Sequence, residues 1–374
     1  MLLFKCLRKR LRKRLRKMPQ GAMKKQKPSI MDVARIAGVS TATVSHVING
    51  TRYVSEETTK KVKDAIDYLE YLPSAAARGL AGKSSKIIGI VFSDISNPFF
   101  TSLYMGLESV LTAEGYELVL ANTGELDANQ EKVLRTMLSR QIDGLIIAPT
   151  GRESMMLDHL IHVGIPVVLI DRDAPVDNVS LVDLDNASAA SKATSHLIAD
   201  GHQKIGIILG LPEVNTTKKR LEGYQRALQE SNIPFRPEYV IDGQSKIEGG
   251  YQGVKRLMAL SDPPTAIFSI NNLMTSGALH AFRELGLNCP KDVGLVGFDD
   301  HDWGNIFTPP LTVVRQPTYE MGVRAAKMLI NNTKKLHVSH ERLEGELVVR
   351  GSCSENCQQL FLESIHAMHK FYGK

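Results

Sequence analysis

The sequence predicts an α/β protein in two parts, a small all-α headpiece at the N-terminus and a larger core of two doubly wound parallel-sheet lobes. Three observations predict this. Short helical patterns with a glycine turn fill residues 29–69. From residue 86 onward, apolar β-rich runs alternate with helical patterns, which is the order of βαβ units in parallel sheets. A length of 374 residues is too great for one hydrophobic core and suits two or three domains.

Residues 29–50 predict two short helices joined by a tight turn. Ser29 can cap the first helix, with Asp32 as the second partner of a capping box. Gly38 ends that helix, and Ser40 caps the next one. A short helix with a polar face behind a glycine turn is typical of a recognition helix in the DNA major groove, although an ordinary helical hairpin is the alternative. The residues expected to contact DNA from this segment are Thr41, Ala42, Thr43, Ser45, His46, Asn49 and Arg52.

A third helix is predicted to begin after Ser55 and to stop before Pro73. The run over residues 29–83 resembles the headpiece of the LacI/GalR family of bacterial transcription regulators. Within it, residues 40–49 (Ser-Thr-Ala-Thr-Val-Ser-His-Val-Ile-Asn) are similar to the purine- and ribose-repressor branch of that family. The resemblance implies a helix–turn–helix domain over residues 28–73 in a homodimer that binds palindromic double-stranded operator DNA.

Residues 74–83 are alanine-rich and could form a helix that is too short to be stable alone. The resemblance implies that this segment is a hinge helix, which folds when two copies meet over the minor groove. Leu80 holds the position of the leucine that inserts between two base pairs and bends the operator. A plain linker helix is the alternative.

The basic residues are concentrated in the N-terminal part of the chain. Residues 1–17 contain nine Lys or Arg and no acidic residue, while the net charge of the whole chain is only +6, so the core is acidic. This distribution is typical of a nucleic-acid-binding segment joined to another domain. We expect residues 1–27 to be a basic tail that is disordered or lies upstream of the true start at Met18 or Met23. An arm that binds phosphates is the alternative.

Several classes of protein are disfavoured by the sequence. The four cysteines (Cys6, Cys289, Cys353 and Cys357) are scattered, and no nearby His or second Cys pair completes a zinc pattern, so we expect a reduced cytoplasmic protein without a metal or cofactor. No apolar run approaches the roughly 20 residues that span a bilayer, and we expect no membrane partner. Nucleophile elbows, phosphate loops and metalloprotease motifs are absent from the sequence, so we expect no enzyme.

Chemically useful side chains follow the predicted strands of the core, where doubly wound folds bind ligands. Phe99 and Phe100 suit stacking on the apolar face of a sugar or base. Carboxylates, amides and guanidinium groups that converge in one cleft can bond several vicinal hydroxyls at once. The predicted ligand-binding residues are Asn97, Phe99, Phe100, Asp171, Arg172, Arg220, Asn271, Asp299 and Gln316.

These nine positions resemble the contact positions of periplasmic ribose-binding proteins, to which the sensor core of the family is related. The sequence departs from that pattern at Gln244, where the ribose-binding type has a second stacking aromatic residue. The extra arginine of the purine repressor, which would precede Asn215, is Val214 here. The resemblance therefore implies a small monosaccharide effector and disfavours a purine.

The predicted core covers residues 86–350. Its first lobe is expected to combine about 86–185 with 317–332, and its second lobe about 186–315 with the last strand. Residues 351–374 form a C-terminal extension outside the resemblance, with the pattern of an amphipathic helix. We therefore predict a sugar-controlled repressor. The alternatives are a sugar-binding protein or a sugar-metabolising enzyme of the same fold that does not regulate DNA.

Overall fold

The computed structural model describes residues 28–49, 52–69, 71, 84–300, 304, 306–334 and 337–372. The chain divides into two compact units, one ending at Lys83 and the other beginning at Ser84. The predicted basic tail (1–27) and hinge segment (74–83, with Leu80) lie outside the described residues.

The first unit contains three helices, α1 (Ile30–Ala37), α2 (Thr41–Asn49) and α3 (Glu56–Leu69). The capping box is present, because Ser29 Oγ accepts a hydrogen bond from the Asp32 amide at 3.4 Å and Asp32 Oδ2 accepts one from the Ser29 amide at 3.0 Å. Gly38 ends α1 in the left-handed conformation with φ 67°. The helices pack around a small apolar core of Val33, Ala34, Val44, Val62, Ala65 and Tyr71.

Replacing Ser29 with alanine is expected to destabilise α1 by about 1 kcal/mol, because the Asp32 amide loses its side-chain acceptor. The measurement is amide hydrogen exchange of α1 in the full-length protein. Ser29→Asn keeps an acceptor at the N-cap and is expected to retain the wild-type protection. Equal protection in wild type and Ser29→Ala would show that the capping box does not stabilise this helix.

The second unit alternates strands and helices. Its strands are β1 (Ile87–Phe92), β2 (Glu117–Asn122), β3 (Gly144–Ile147), β4 (Val167–Ile170), β5 (Ser180–Leu184), β6 (Ile205–Leu209), β7 (Val240–Asp242), β8 (Ala266–Ser269), β9 (Gly294–Phe298), β10 (Thr312–Arg315), β11 (His340–Leu343) and β12 (Glu346–Val348). Its α-helices are α4 (Pro98–Leu111), α5 (Asp127–Ser139), α6 (Met155–His162), α7 (Asn186–Ala199), α8 (Asn215–Glu230), α9 (Ile247–Met258), α10 (Asn272–Leu285), α11 (Thr318–Lys334) and α12 (Glu355–Tyr372).

The strands form two six-stranded sheets, each the centre of one lobe. The first sheet has the order β11-β5-β4-β3-β1-β2, and all of its pairs are parallel. The second has the order β12-β10-β9-β8-β6-β7, and only β12 is antiparallel to its neighbour. The chain crosses between the sheets three times, after β5, after β10 and after β11. The predicted two-lobed, doubly wound architecture is thereby confirmed.

Two helices begin at the carboxyl end of a strand, α4 after β1 and α8 after β6. Helix α4 begins at Pro98, where Asn97 Oδ1 accepts a hydrogen bond from the Phe99 amide at 2.9 Å and caps the helix. Helix α8 begins at Asn215. The first turns of both helices therefore carry their side chains to the edge of the sheet where ligands bind.

The packing of the second lobe continues beyond residue 350. The Ser352 carbonyl accepts a hydrogen bond from the Leu295 amide at 2.7 Å, and Ser352 Oγ accepts one from the Thr312 amide at 2.8 Å. Cys353 and Cys357 are buried in the core of the same lobe, at the start of α12. Among the described helices, none is both long and apolar enough to cross a membrane.

Candidate functional site

A cleft lies at the carboxyl ends of the strands in the second unit. Strand β1 stands between β2 and β3, and β6 between β7 and β8, so each sheet reverses its winding direction there. Such reversal points are where doubly wound sheets bind ligands. The cleft encloses about 440 Å³ of empty space, including its opening to solvent. All nine predicted ligand-binding residues line it, together with Gly210, Val214, Thr216, Thr217, Ser245 and Ile270.

The first lobe contributes an aromatic wall. Phe99 and Phe100 are buried in the first turn of α4, which Asn97 caps. The Phe100 ring stacks on Phe92 with a centroid distance of 4.8 Å, and Phe99 meets Phe100 edge to face at 5.0 Å. These contacts fix the orientation of both rings, which gives the cleft a rigid apolar surface suited to the C–H face of a ring-shaped ligand.

The same lobe contributes a buried ion-pair network after β4. Arg172 donates two hydrogen bonds to the Glu125 carboxylate, at 2.7 and 2.8 Å. Its Nε lies 3.5 Å from Asp171 Oδ2 and has no hydrogen-bond partner among the described residues. Asp171 has a φ of 66°, an uncommon conformation for a residue other than glycine. Strained backbone of this kind is held in place where a side chain must point into a site.

Arg220 is the corresponding cation of the second lobe. Its Nε donates to Asn186 Oδ1 at 2.7 Å, and its Nη1 donates to the Ile270 carbonyl at 2.5 Å. The guanidinium group stacks over the Phe298 ring, with Cζ 3.6 Å from the ring centroid. Three separate contacts therefore hold one buried cation at the wall of the cleft, which a flexible lysine could not reproduce.

Asp299 and Gln316 form a polar pair after β9 and β10. Gln316 Nε2 donates to Asp299 Oδ1 at 2.6 Å, and Asp299 has a φ of 72°. Gln316 Oε1 is buried and lacks a hydrogen-bond partner within the described part of the chain. Asn271 caps α10 by accepting a hydrogen bond from the Met274 amide at 2.8 Å. A buried acceptor without a partner is rare and costly, so Gln316 favours a ligand that donates.

Burial sets the direction of the pKa shift for two of the ionisable groups in the cleft, Asp171 and Arg220. It raises the pKa of Asp171 to about 6, although Arg172 and Arg220 oppose this rise. Burial also lowers the pKa of Arg220, and the nearby Asp299 and Asp171 carboxylates partly offset this decrease. For Arg172, the ion pair with Glu125 outweighs burial and raises the pKa. Both arginines remain charged near neutral pH, while Asp171 lies close to its titration point.

The two lobes contact each other beside the cleft. Asn272 Nδ2 donates to Asn97 Oδ1 at 2.6 Å, and the Asp173 amide donates to Asn215 Oδ1 at 3.3 Å. The lining residues Asp171 and Arg172 belong to the first lobe, while Arg220 and Asp299 belong to the second. A ligand in this cleft would therefore touch both lobes at once.

Two positions discussed from the sequence have distinct places in the structure. Gln244 is exposed, and its backbone amide donates a hydrogen bond to Asp242 Oδ1 at 3.0 Å. The neighbouring Ser245 lines the cleft instead. Val214 lines the cleft and is buried, so an apolar side chain occupies the position before Asn215.

The partners that orient the cleft residues were not found from the sequence. Glu125 follows β2 and anchors Arg172, and Asn186 begins α7 and anchors Arg220. Glu125 has a left-handed φ of 62°, but a single Glu after Gly124 carries no sequence pattern that would mark it. Only their position directly after a strand could have indicated, from the sequence, that Glu125 and Asn186 lie near the cleft.

Helix α2 of the first unit presents the predicted DNA-binding face. Its apolar side packs inward through Val44, with Val47 and Ile48 partly buried against the same core. Thr41, Ala42 and Arg52 are exposed, and Thr43, Ser45 and His46 are half-buried. The Thr43 amide donates to Ser40 Oγ at 3.1 Å, so Ser40 caps the helix as predicted. Asn49 is the last residue of α2, and its side chain is not among the described parts of the structure. Leu80 lies outside the described residues.

Both units match families of known proteins. Residues 29–74 match bacterial regulatory proteins of the lacI family, and residues 85–347 match periplasmic binding proteins and the sugar binding domain of the LacI family. The HTH-type transcriptional repressor PurR of Photobacterium profundum is 37% identical over 333 residues, which cover 87% of this chain and 99% of that protein.

Two solved structures share the fold. A LacI family transcriptional regulator from Enterococcus faecium with bound ribose is 26% identical, with a TM-score of 0.65, and the match covers 72% of this chain and 98% of that one. The lac repressor dimer bound to operator and the anti-inducer ONPF is 25% identical, with a TM-score of 0.73 and coverage of 88% and 100%.

Proposed function

This chain belongs to the LacI family of bacterial regulatory proteins, and from that premise we propose that it is a dimeric repressor controlled by a monosaccharide bound between the two lobes of its core. As a member of the family it is a DNA-binding transcriptional regulator. The family role favours a cytoplasmic protein that acts on the chromosome and disfavours an enzyme. The observation that carries the sugar assignment is the convergence of nine polar and aromatic residues on one cleft.

The chemistry of the cleft favours a neutral polyhydroxylated ring. Phe99 and Phe100 offer an apolar face, while Asp171, Asp299 and Gln316 offer acceptors at the carboxyl ends of strands from both sheets. Hydroxyl groups can donate to these oxygens and accept from a guanidinium group at the same time. The apolar Val214 side chain offers no hydrogen bond to the polar edge of a purine, although a relative named PurR is similar to this chain.

Control of DNA binding requires that the effector distinguish two arrangements of the lobes. A sugar that bonds to Arg172 of the first lobe and Asp299 of the second stabilises the arrangement in which both groups reach it. Its differential affinity for the two arrangements is what shifts the equilibrium. We infer that this shift moves the hinge segments 74–83 of the dimer relative to each other and so changes the affinity for the operator.

A thermal-shift screen of the full-length protein tests the effector class. The panel contains pentoses, hexoses, disaccharides and the purine bases, each at the same concentration. One monosaccharide is expected to raise the melting temperature of the core, because a ligand that binds only the folded state stabilises it by mass action. Stabilisation by a purine and by none of the sugars would overturn the proposed effector class while leaving the family membership intact.

The affinity for the sugar is expected to fall as the pH is lowered through about 6. The raised pKa of Asp171, which burial causes, means that this carboxylate becomes protonated in that range and loses an acceptor for a sugar hydroxyl. Isothermal titration calorimetry between pH 7.5 and 5 measures the change. Asp171→Asn removes the titrating group, so its weaker affinity is expected to stay constant over this range. A wild-type affinity that is equally constant would contradict the assignment of Asp171 as an acceptor.

A further inference from the structure

Four side chains with metal-binding atoms meet in the second lobe, outside the residues that line the sugar cleft. His196 lies in the last turn of α7, and Asp200 follows that helix. Cys353 precedes α12, and Cys357 lies in its first turn. One nitrogen, one oxygen and two sulfur atoms from these residues all lie within 4.8 Å of one another.

Four of the six separations among these atoms lie between 3.0 and 3.8 Å, close to those of a tetrahedral site. His196 Nε2 lies 3.2 Å from Cys353 Sγ and 3.8 Å from Cys357 Sγ. Asp200 Oδ2 lies 3.6 Å from His196 Nε2 and 3.0 Å from Cys357 Sγ. Zinc bonds of about 2.0–2.3 Å to nitrogen, oxygen and sulfur place neighbouring ligand atoms about 3.3–3.8 Å apart. All four atoms lie within 4.8 Å of one another, so an ion among them would draw the most distant pair closer together.

Neighbouring groups hold both thiols in place. Burial raises the pKa of Cys353 and of Cys357, so a bound cation is what would stabilise their thiolates. The Cys357 amide donates to Ser354 Oγ at 3.1 Å in the first turn of α12, and the positive end of a helix favours a thiolate there. Thr312 Oγ1 lies 3.3 Å from Cys353 Sγ, and His202 Nε2 lies 2.9 Å from the Cys353 carbonyl oxygen. Partners of this kind fix the position of metal ligands.

We propose that His196, Asp200, Cys353 and Cys357 bind one zinc-class divalent ion, which fastens the start of α12 to the end of α7. The His and Asp side chains are only 16% and 11% exposed, and both cysteines are buried. Four protein ligands fill a tetrahedral shell and leave no position for a substrate, so the site is structural. Binding replaces the proton of each thiol, including the one that Cys357 shares with Asp200 Oδ2 at 3.0 Å.

The sequence alone predicted no metal site, because Cys353 and Cys357 have no His or second Cys pair near them in the chain. The fold supplies the missing ligands from the last turn of α7 and the residue after it, more than 150 residues upstream. The match to the periplasmic binding proteins ends at residue 347, so both cysteines lie outside the matched region.

The test uses the full-length protein, produced without a histidine tag in zinc-supplemented medium and purified with a phosphine reductant. Zinc is measured by mass spectrometry of the elements, and affinity by competition with a chromophoric chelator. One zinc per chain is expected in wild type and in Cys289→Ser, which alters a cysteine of the same lobe that is not in the cluster. Cys353→Ser and Cys357→Ser are expected to bind zinc more than about a hundredfold more weakly.

Two further measurements do not depend on whether the variants fold. Removal of zinc from wild type by a chelator is expected to lower the melting temperature, and re-addition of zinc to restore it. Cobalt substitution is expected to give the visible spectrum of a tetrahedral site with thiolate ligands. The proposal is overturned if reduced wild-type protein binds no zinc, if Cys353→Ser and Cys357→Ser retain wild-type affinity, or if intact-mass analysis shows a Cys353–Cys357 disulfide in the reduced preparation.

Discussion

Replacing Asp299 with asparagine is expected to shift the effect of the sugar on operator binding to sugar concentrations about tenfold to more than a hundredfold higher than for the wild type. The carboxylate lines the cleft on the second lobe and is fixed by Gln316. Losing a hydrogen bond to a charged acceptor costs about 1.5–3 kcal/mol, which weakens sugar binding by about tenfold to more than a hundredfold. Operator binding without sugar is expected to be unchanged, because Asp299 belongs to the core unit.

The measurement is fluorescence anisotropy of a labelled operator duplex, titrated with protein at several sugar concentrations. Gln244→Ala is the matched control, because Gln244 follows β7 near the cleft but is exposed and does not line it. The control is expected to respond to sugar as the wild type does. A normal sugar response in Asp299→Asn would remove this residue from the binding site.

Alanine substitutions at Thr41 and His46 are expected to reduce the preference for operator over random DNA by about 1–3 kcal/mol each, or about fivefold to 150-fold. Thr41 is exposed at the start of α2, and the first residues of a recognition helix reach the base edges. Contacts to bases specify sequence, whereas contacts to phosphates change all affinities alike. The loss should therefore affect the operator and spare random DNA.

The measurement compares the affinity for a palindromic duplex selected in vitro with the affinity for a scrambled duplex at the same salt concentration. Their quotient is the operator-to-random ratio. Asp67→Asn is the control, because Asp67 is exposed on α3 and lies outside the predicted reading face. Its operator-to-random ratio is expected to equal that of the wild type. If Thr41→Ala and His46→Ala also keep the wild-type ratio, the reading face lies elsewhere on the headpiece.

The sequence predicted the cleft because the nine residues follow strands of parallel sheets. Apolar runs such as β1 and β6 are easily recognised, and the geometry of parallel sheets brings their carboxyl ends to one edge. The predicted residues therefore meet in the structure even though the sequence separates Asn97 from Gln316 by more than 200 positions. The local signals of the headpiece, Ser29 and Gly38, were equally sufficient for its first helix.

Strands with polar or short sequences could not be predicted in this way. Strand β5 does not stand out as an apolar run, because it contains Ser180 and Asp183, which are buried. The partners of the Asp183 carboxylate lie on β11, where Arg342 donates to it at 2.9 and 3.0 Å and His340 Nε2 lies 2.9 Å from it. Strand β7 has three residues and is half-exposed at the edge of its sheet. In both cases tertiary contacts determine that the segment is a strand. These contacts cannot be predicted from the local pattern of a single sequence.

The anchors of the cleft were missed for the same reason. Glu125 and Asn186 act on Arg172 and Arg220 across the fold, 47 and 34 residues apart in sequence. Neither position carries a motif. Residues that contact a ligand can thus be predicted from their place at the ends of strands. The residues that orient them are harder to predict.

The central claim is that sugar in the cleft and operator at the headpiece are energetically coupled. The most direct test measures operator affinity with and without saturating sugar, and sugar affinity with and without saturating operator, under the same conditions. The account predicts that each ligand changes the affinity for the other by one common factor, equivalent to about 1–3 kcal/mol. A wild-type protein that binds a monosaccharide in the cleft while its operator affinity stays constant would contradict it.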